Sequence, residues 1–188
     1  MRRMRKWLLW IGFALILAGL GLLVGFQVAG HVWQNRAAAL VARIEAVLPQ
    51  RTVGAEESYR VMDMPALSLQ GQDLIGLVEI PAYGVKLPIG GRWQAGKMGR
   101  YPSRLDGTVY DGSLIIGGSG SQLACLKQIG HGETVRVTDL RGAVFTYTVS
   151  RIRRARNASA DTLRSENARL VLFMRDLYTM EYVIVECI

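Results

Sequence analysis

The side chains with the clearest potential for chemistry in this 188-residue chain are its two cysteines and two histidines. A cysteine acts as a nucleophile through its thiolate, which a neighbouring base helps to form. Cys125 stands in the segment QLACLKQI, where it is interpreted as a small buried residue that packs with Leu123 and Leu126. The alternative interpretation is that Cys125 is a nucleophile.

The other three of these residues give weaker indications of chemistry. Cys187 alternates with Val185 and Val183, which predicts a strand residue on their face. A disulfide between Cys187 and Cys125 stays open, because a sequence does not give their distance. His131, in the segment IGHGET, is predicted to be an exposed turn residue, and His31 borders an apolar segment. Since these residues lack ligand spacing, we expect neither a metal site nor a cofactor.

A basic run, RIRRAR, contains Arg151, Arg153, Arg154 and Arg156. Such a run is typical of a solvated hairpin. The functional alternative is that these arginines bind an anionic cell-wall polymer or lipid head groups.

The formal charge of +8 divides unevenly along the chain. Four cations lie in residues 1–6, residues 31–72 balance, and residues 73–188 carry fifteen cations against eleven anions, a net +4. This modest excess favours contact with an anionic surface over nucleic acid, which we do not expect as a partner.

An uncharged segment, Trp7 to Gly30, is long enough to cross a bilayer as a helix. The cations before it predict a cytoplasmic N-terminus and an extracellular C-terminal domain at the cell membrane. A signal peptide cleaved near Val28-Ala29-Gly30 is the alternative, but the length of the apolar core favours a retained anchor.

Four regions follow along the chain. Residues 1–6 are a cytoplasmic basic flank, and residues 7–30 are the transmembrane anchor. Residues 31–72 are a juxtamembrane segment, in which 31–48 have helical spacing and 50–72 are typical of a linker. Residues 73–188 are the folded domain.

Short strand-like runs separated by turn residues predict a mainly β antiparallel barrel of about seven to eight strands with short helices. The predicted strands are Ile75–Ile80, Val85–Ile89, Ser113–Gly117, Thr134–Thr138, Val144–Arg153, Leu170–Met174 and Tyr182–Glu186. Helical pieces are predicted at Gln122–Ile129 and at Ser159–Leu163, where Ser159 is the expected cap.

Five segments, in order, carry a resemblance to a known family: EIPAYGVKLPI, SLIIGGSGSQLACLKQIGHGETVRVT, AVFTYTVSRI, RLVLFMRD and MEYVIVEC. Together they resemble sortases, the membrane-anchored cysteine transpeptidases of Gram-positive bacteria, over essentially all of residues 73–188. The resemblance implies a sortase-like β-barrel. It also implies three catalytic residues. A Cys attacks an LPXTG-like sorting signal, a His transfers protons, and an Arg positions the substrate or stabilises the oxyanion.

In this sequence, the positions that align with the catalytic His, Cys and Arg hold other residue types. The His position falls on Ser119, the Cys position on Arg175, or on Met174 if the alignment slips by one, and the Arg position on Glu181. We therefore expect a catalytically inactive sortase-like protein that acts as a peptide- or protein-binding or scaffolding module at the cell surface. The alternative is an active transpeptidase with a relocated nucleophile, such as Cys125, or with Ser119 as the nucleophile. An ion pair between Arg175 and Glu181 is a further hypothesis.

Overall fold

The computed structural model describes residues 38–46, 48, 63–69, 71–93 and 99–188. Residues Leu40–Ile188 form a compact unit. The predicted basic flank and transmembrane anchor, residues 1–30, lie outside the described residues, as does His31. Among the helices that are described, none has the length and apolar character needed to cross a membrane.

Nine strands and few helices make up the described chain. The strands are β1 (Leu67–Leu69), β2 (Gln72–Ile80), β3 (Val85–Gly90), β4 (Ser103–Asp106), β5 (Leu114–Gly118), β6 (Thr134–Asp139), β7 (Val144–Ala155), β8 (Leu170–Arg175) and β9 (Tyr182–Cys187). The helices are α1 (38–46) and α2 (Ala160–Leu163), and 3₁₀ turns occupy Pro81–Tyr83 and Ala124–Lys127.

Eight of these strands close into a barrel in the order β2-β3-β4-β5-β8-β9-β7-β6, and β6 pairs back onto β2. This confirms the predicted mainly β barrel and its strand number. The prediction that the barrel is antiparallel was wrong for two pairs, because β3–β4 and β5–β8 are parallel. Hydrophobic alternation does not reveal the direction of a neighbouring strand, so the sequence did not distinguish the two arrangements.

Two strands were missed by the sequence prediction. β4 has only four residues, and two of them, Arg104 and Asp106, are charged. β1 has three residues and lies inside the segment predicted as a linker, where it pairs antiparallel with the start of β2. Strands this short carry too few residues to show a period of two.

The turn of the hairpin between β2 and β3 is formed by residues that favour its backbone conformation. Pro81 begins the 3₁₀ turn, and its fixed φ suits that position. Gly84 ends the turn with φ 60°, in the left-handed region that favours glycine. The chain then returns as β3, with Ile80 opposite Val85.

Helix α1 belongs to the region predicted as helical, residues 31–48. Its buried residues are Leu40, Val41 and Ile44, which share one face of the helix. Glu45, on the exposed side, forms an ion pair of 2.5 Å with Lys86 of β3. Within the compact unit, this pair joins α1 to β3.

Strands β5 and β8 are buried on both sides, which accounts for their continuous apolar sequences. One side faces the barrel interior. The other side of β5, β8 and β9 forms a second core cluster, whose buried members include Ile115, Phe173 and Ile184. We call this second side the covered face.

Candidate functional site

The parallel pairing of β5 with β8 brings two of the predicted site residues together. Gly118 lies opposite Met174 at the last pair of this ladder, so Ser119 and Arg175 are the next residues on the two neighbouring strands. A Cβ added at Gly120 would lie 3.1 Å from the Arg175 carbonyl oxygen, which shows how closely the two chain segments pass. The sequence placed Ser119 and Arg175 in one site only through a family resemblance; the structure places them side by side.

Ser119 is fixed by the turn that follows β5. Its N–H donates to the Gln122 side-chain oxygen at 2.9 Å, and its carbonyl accepts from the N–H groups of Gln122 and Leu123, each at 3.1 Å. The buried Gln122 amide also donates to the Gly99 carbonyl at 2.8 Å. The Ser119 and Ser121 hydroxyl oxygens lie 2.9 Å apart. Two hydroxyls are therefore held together at the end of β5.

Arg175 is exposed at the end of β8, and its cross-strand partner is Tyr182. The guanidinium carbon lies 5.9 Å from the centre of the Tyr182 ring, within the range of a cation–π interaction. The sequence analysis predicted Glu181 as the neighbour of Arg175, whereas in the structure the neighbour is the next residue, Tyr182. We call Ser119, Ser121, Arg175 and Tyr182 the strand-end site.

The hypothesis of an Arg175–Glu181 ion pair was wrong. Glu181 precedes β9, and its carbonyl accepts from the Asp176 N–H at 2.7 Å, so Glu181 lies across from Asp176. The hairpin register therefore directs Tyr182, and not Glu181, toward Arg175.

Sequence reasoning missed an ion pair beside the strand-end site. Asp176, which is only 4% exposed, accepts from Lys127 Nζ at 2.8 Å and from the Tyr178 N–H at 3.0 Å. The hydrogen bond from Lys127 holds the pKa of the Asp176 carboxyl below its ordinary value, and the charge of Arg154 acts in the same direction. The available signal was an aspartate directly after a buried apolar strand, a position where a carboxylate needs partners.

Cys125 lies in the 3₁₀ turn Ala124–Lys127 and is half-buried. Burial raises the pKa of its thiol above the ordinary value, and the negative charge of Glu133 acts in the same direction. Its carbonyl accepts from the N–H groups of Gln128 and Ile129. The surroundings of Cys125 disfavour a thiolate.

The remaining cysteine, Cys187, lies in the core, and the described histidine, His131, lies in a turn. Cys187 is fully buried on β9, and burial raises its pKa to about 12. Both cysteines are free, so the disulfide left open by the sequence is absent. His131 lies in an exposed turn, as predicted, with Nδ1 3.0 Å from the Ser150 carbonyl oxygen. No group of metal-ligating side chains occurs within the described residues.

The covered face beneath the strand-end site is filled by aromatic side chains. Phe173 lies over Gly117, where an added Cβ would overlap its ring. The rings of Trp93 and Tyr182 lie 5.4 and 6.2 Å from that of Phe173. Phe173 is only 2% exposed, and Leu163 of α2 packs in the same cluster. Ser119 and Arg175 lie at the end of this face, beyond the last β5–β8 pair that Gly118 and Met174 form.

Ion pairs fix the segment that carries α2 over this face. Arg153 on β7 donates to Glu186 Oε1 at 2.7 Å and to the Thr162 carbonyl at 2.8 Å. On the other side, Arg164 pairs with Asp106 of β4. As predicted, Ser159 caps the short helix, where it accepts from the Thr162 N–H.

The four arginines of the basic run differ in position. Arg153 is engaged with buried Glu186, whereas Arg151, Arg154 and Arg156 are exposed. Arg151 lies opposite Glu186 on β9, and Arg154 lies opposite Val183, near the strand-end site. Three of the four arginines are thus exposed at the surface, where they can contact a ligand, and Arg153 stabilises the fold through its ion pair with Glu186.

Solved structures with the same fold define the class: the barrel is sortase-like, as predicted from the sequence. Sortase C from Clostridium perfringens SM101 superposes with a TM-score of 0.52 at 19% identity, covering 61% of this chain and 68% of that one. C. perfringens sortase C with the C-terminal cell wall sorting motif gives 0.53 at 18% identity, covering 62% and 70%. Sortase C-1 from Actinomyces oris gives 0.51 at 21% identity, covering 60% and 71%.

These identities establish the fold alone. No protein-family model and no curated protein sequence matches the chain.

Proposed function

We propose that this protein is a membrane-anchored, extracytoplasmic sortase-fold protein that binds peptides or proteins at the cell surface without cleaving them. The observation that carries the proposal is the pair of residues at the ends of β5 and β8, Ser119 and Arg175. Acyl transfer requires a nucleophile, a base and oxyanion donors within hydrogen-bond reach. A serine hydroxyl does not replace histidine as the base, and a guanidinium offers only donors and no nucleophile.

The strand-end site has the groups needed to hold a peptide. The Ser119 and Ser121 hydroxyls can donate or accept, and the Arg175 guanidinium donates to carbonyl or carboxylate oxygens. The half-buried Tyr182 ring offers an apolar surface beside them. A sortase C of the same fold has been solved with a cell wall sorting motif, which supports a peptide as the class of ligand.

The packing of the covered face limits where such a peptide lies. Phe173 and Leu163 fill the face beneath α2, so a ligand has no space there without displacing that segment. The end of this face, with Arg175 and Ser119, is the part left for contact. We therefore expect the protein to bind a short stretch of peptide at this end.

The localisation rests on the sequence. The apolar segment Trp7 to Gly30 and the cations before it favour a single membrane span with the barrel outside the cell. A cell-surface location brings the barrel to exported proteins that carry sorting-signal-like peptides.

Equilibrium titration tests the binding function. Full-length protein in detergent is titrated into a fluorescent LPXTG-like peptide, and anisotropy is followed. Arg175→Ala is expected to weaken binding by about tenfold, the amount expected for a hydrogen bond to a charged group. Arg151→Ala is the matched control, because Arg151 is also an exposed strand arginine and lies on β7, opposite Glu186. Equal affinity of the two variants would reject the strand-end site.

The alternative function is an active cysteine transpeptidase with Cys125 as nucleophile. It is favoured by the position of Cys125, half-buried in the turn that follows Ser119. It is opposed by the raised pKa of that thiol and by the acidic neighbour Glu133. A covalent acyl adduct on Cys125 would distinguish this function from binding alone.

A further inference from the structure

Residues 177–180, in the loop 176–181 between β8 and β9, form a strongly exposed apolar element. Leu177, Tyr178 and Met180 are 62%, 93% and 55% exposed. Single exposed apolar side chains are ordinary, but three within four consecutive residues form a local apolar surface. We call residues 177–180 the hairpin tip.

The hairpin tip is held in a defined conformation. Asp176 accepts from the Tyr178 N–H at 3.0 Å, and Lys127 Nζ lies 5.2 Å from the centre of the Tyr178 ring. Met180 has φ 60°, a left-handed conformation that is unfavourable for a residue with a side chain. The fold therefore fixes these apolar side chains in solvent, where nothing in the described chain covers them.

Cations surround the hairpin tip. Arg175 ends β8 two residues before it, and Ala155 at the end of β7 lies opposite Tyr182, which is two residues after it. The exposed Arg154 is close enough to Asp176 to lower the pKa of that carboxyl. Among the described residues, the cations near the hairpin tip include Lys127, Arg154 and Arg175, with Arg156 directly after β7, and the anions near it include Asp176 and Glu181.

We propose that the hairpin tip is a membrane contact, which inserts Leu177, Tyr178 and Met180 at the head-group level of an anionic lipid bilayer. A convex apolar tip suits a deformable lipid surface, and tyrosine suits the boundary between hydrocarbon and water. The excess of cations around the tip complements lipid phosphates.

This contact goes beyond the proposed peptide binding, because it orients the barrel. A single membrane span tethers a domain without fixing its rotation. A second contact through the hairpin tip turns the ends of β5 and β8, with Ser119 and Arg175, toward the membrane surface. A bound peptide would then be held close to the lipid.

Site-specific photo-crosslinking tests the contact. The full-length protein is reconstituted in nanodiscs, either with phosphatidylglycerol mixed into phosphatidylcholine or with phosphatidylcholine alone. The photoreactive residue p-benzoylphenylalanine replaces Tyr178, and lipid adducts are counted by mass spectrometry after irradiation. Val144 is the matched control position, because it is an exposed apolar residue at the opposite end of β7. The same probe at Leu177 guards against a local disturbance at one position.

We expect lipid adducts at 178 and 177 to exceed those at 144 by about tenfold in the anionic nanodiscs. The double variant Arg154→Gln, Arg156→Gln is expected to reduce the adducts severalfold, as loss of two cations near a charged bilayer predicts. Adducts at 178 and 177 that do not exceed those at 144 would overturn the proposal. So would adducts that are equal in the two lipid compositions.

Discussion

The covered face and the strand-end site are built on the same strands, β5, β8 and β9, and they differ in almost every other respect. On the covered face, Phe173 lies over Gly117 and is 2% exposed, and the Arg153–Glu186 pair fixes the segment above it. At the strand ends, Ser119 is half-buried and Arg175 is exposed.

This difference separates what determines the fold from what determines the chemistry. The covered face is closely packed, so the fold restricts the volume and shape of the side chains that fit there. Ser119 and Arg175 are less buried than Phe173, so packing constrains their side chains less. A sortase-like barrel is therefore compatible with Ser119 and Arg175 at its strand ends, and function has to be argued from those residues.

The largest expected effect is that of Phe173→Ala on stability. Removal of a buried aromatic ring leaves a cavity over Gly117, and we expect the free energy of unfolding to fall by about 3–5 kcal/mol. Urea unfolding followed by circular dichroism measures the change. Arg175→Ala, two residues along the same strand, is the control, with an expected change within about 0.5 kcal/mol. Equal losses in the two variants would remove the contrast between the regions.

A smaller loss is expected when the ion pair on the covered face is broken. Glu186→Ala leaves the Arg153 guanidinium without its carboxylate partner, and we expect a loss of about 2–3 kcal/mol. This lies below the range for fully buried pairs, because the Arg153 side chain is a quarter exposed. The same unfolding experiment measures it. A change of less than about 0.5 kcal/mol would mean that Glu186 does not hold the segment.

The Lys127–Asp176 pair predicts an effect of pH. Because the folded protein lowers the pKa of Asp176, the stabilisation is present above the pKa of an unfolded aspartate, about 3.9, and is lost as pH falls through the lower folded value. Asp176→Asn should therefore flatten the acid side of the stability profile, measured by unfolding between about pH 2 and pH 6. Lys127→Met should flatten it similarly. An unchanged profile in both variants would contradict the assignment.

The smallest expected effect concerns the reactivity of Cys125. Because burial raises its pKa above the ordinary 9.0, its alkylation by iodoacetamide should be slow at neutral pH and still rising above pH 9. Buried Cys187 should react only in the unfolded protein. Peptide mapping by mass spectrometry measures both rates. A plateau of the Cys125 rate below about pH 7 would indicate an activated nucleophile.

Much of the barrel could be predicted from the sequence, because β2, β5 and β8 are apolar runs bounded by turn residues. Pro81 and Gly84 identify the first hairpin through the backbone angles that they favour. The parallel pairing of β5 and β8 was not predictable, since residues 119–169 separate these strands and the pairing depends on the whole fold.

The site was predictable only in part. Ser119 and Arg175 were found through the family resemblance, which places them at the ends of two recognisable strands. Glu181 was placed one residue away from the partner of Arg175, because the register of a hairpin depends on the length of its turn. Lys127 and Asp176 are 49 residues apart in the chain, and no local pattern indicates that they pair.

Formation of an acyl intermediate would distinguish an active transpeptidase from an inactive sortase-fold protein most directly. Full-length protein and its Cys125→Ala variant are incubated with LPXTG-like peptides and an amine acceptor, and the peptide and the intact protein are followed by mass spectrometry. We expect the peptide to stay intact and the protein mass to stay unchanged, with peptide retained equally by both proteins. Cleaved peptide or a protein adduct that disappears in Cys125→Ala would show that the protein is an active enzyme and would establish Cys125 as its nucleophile.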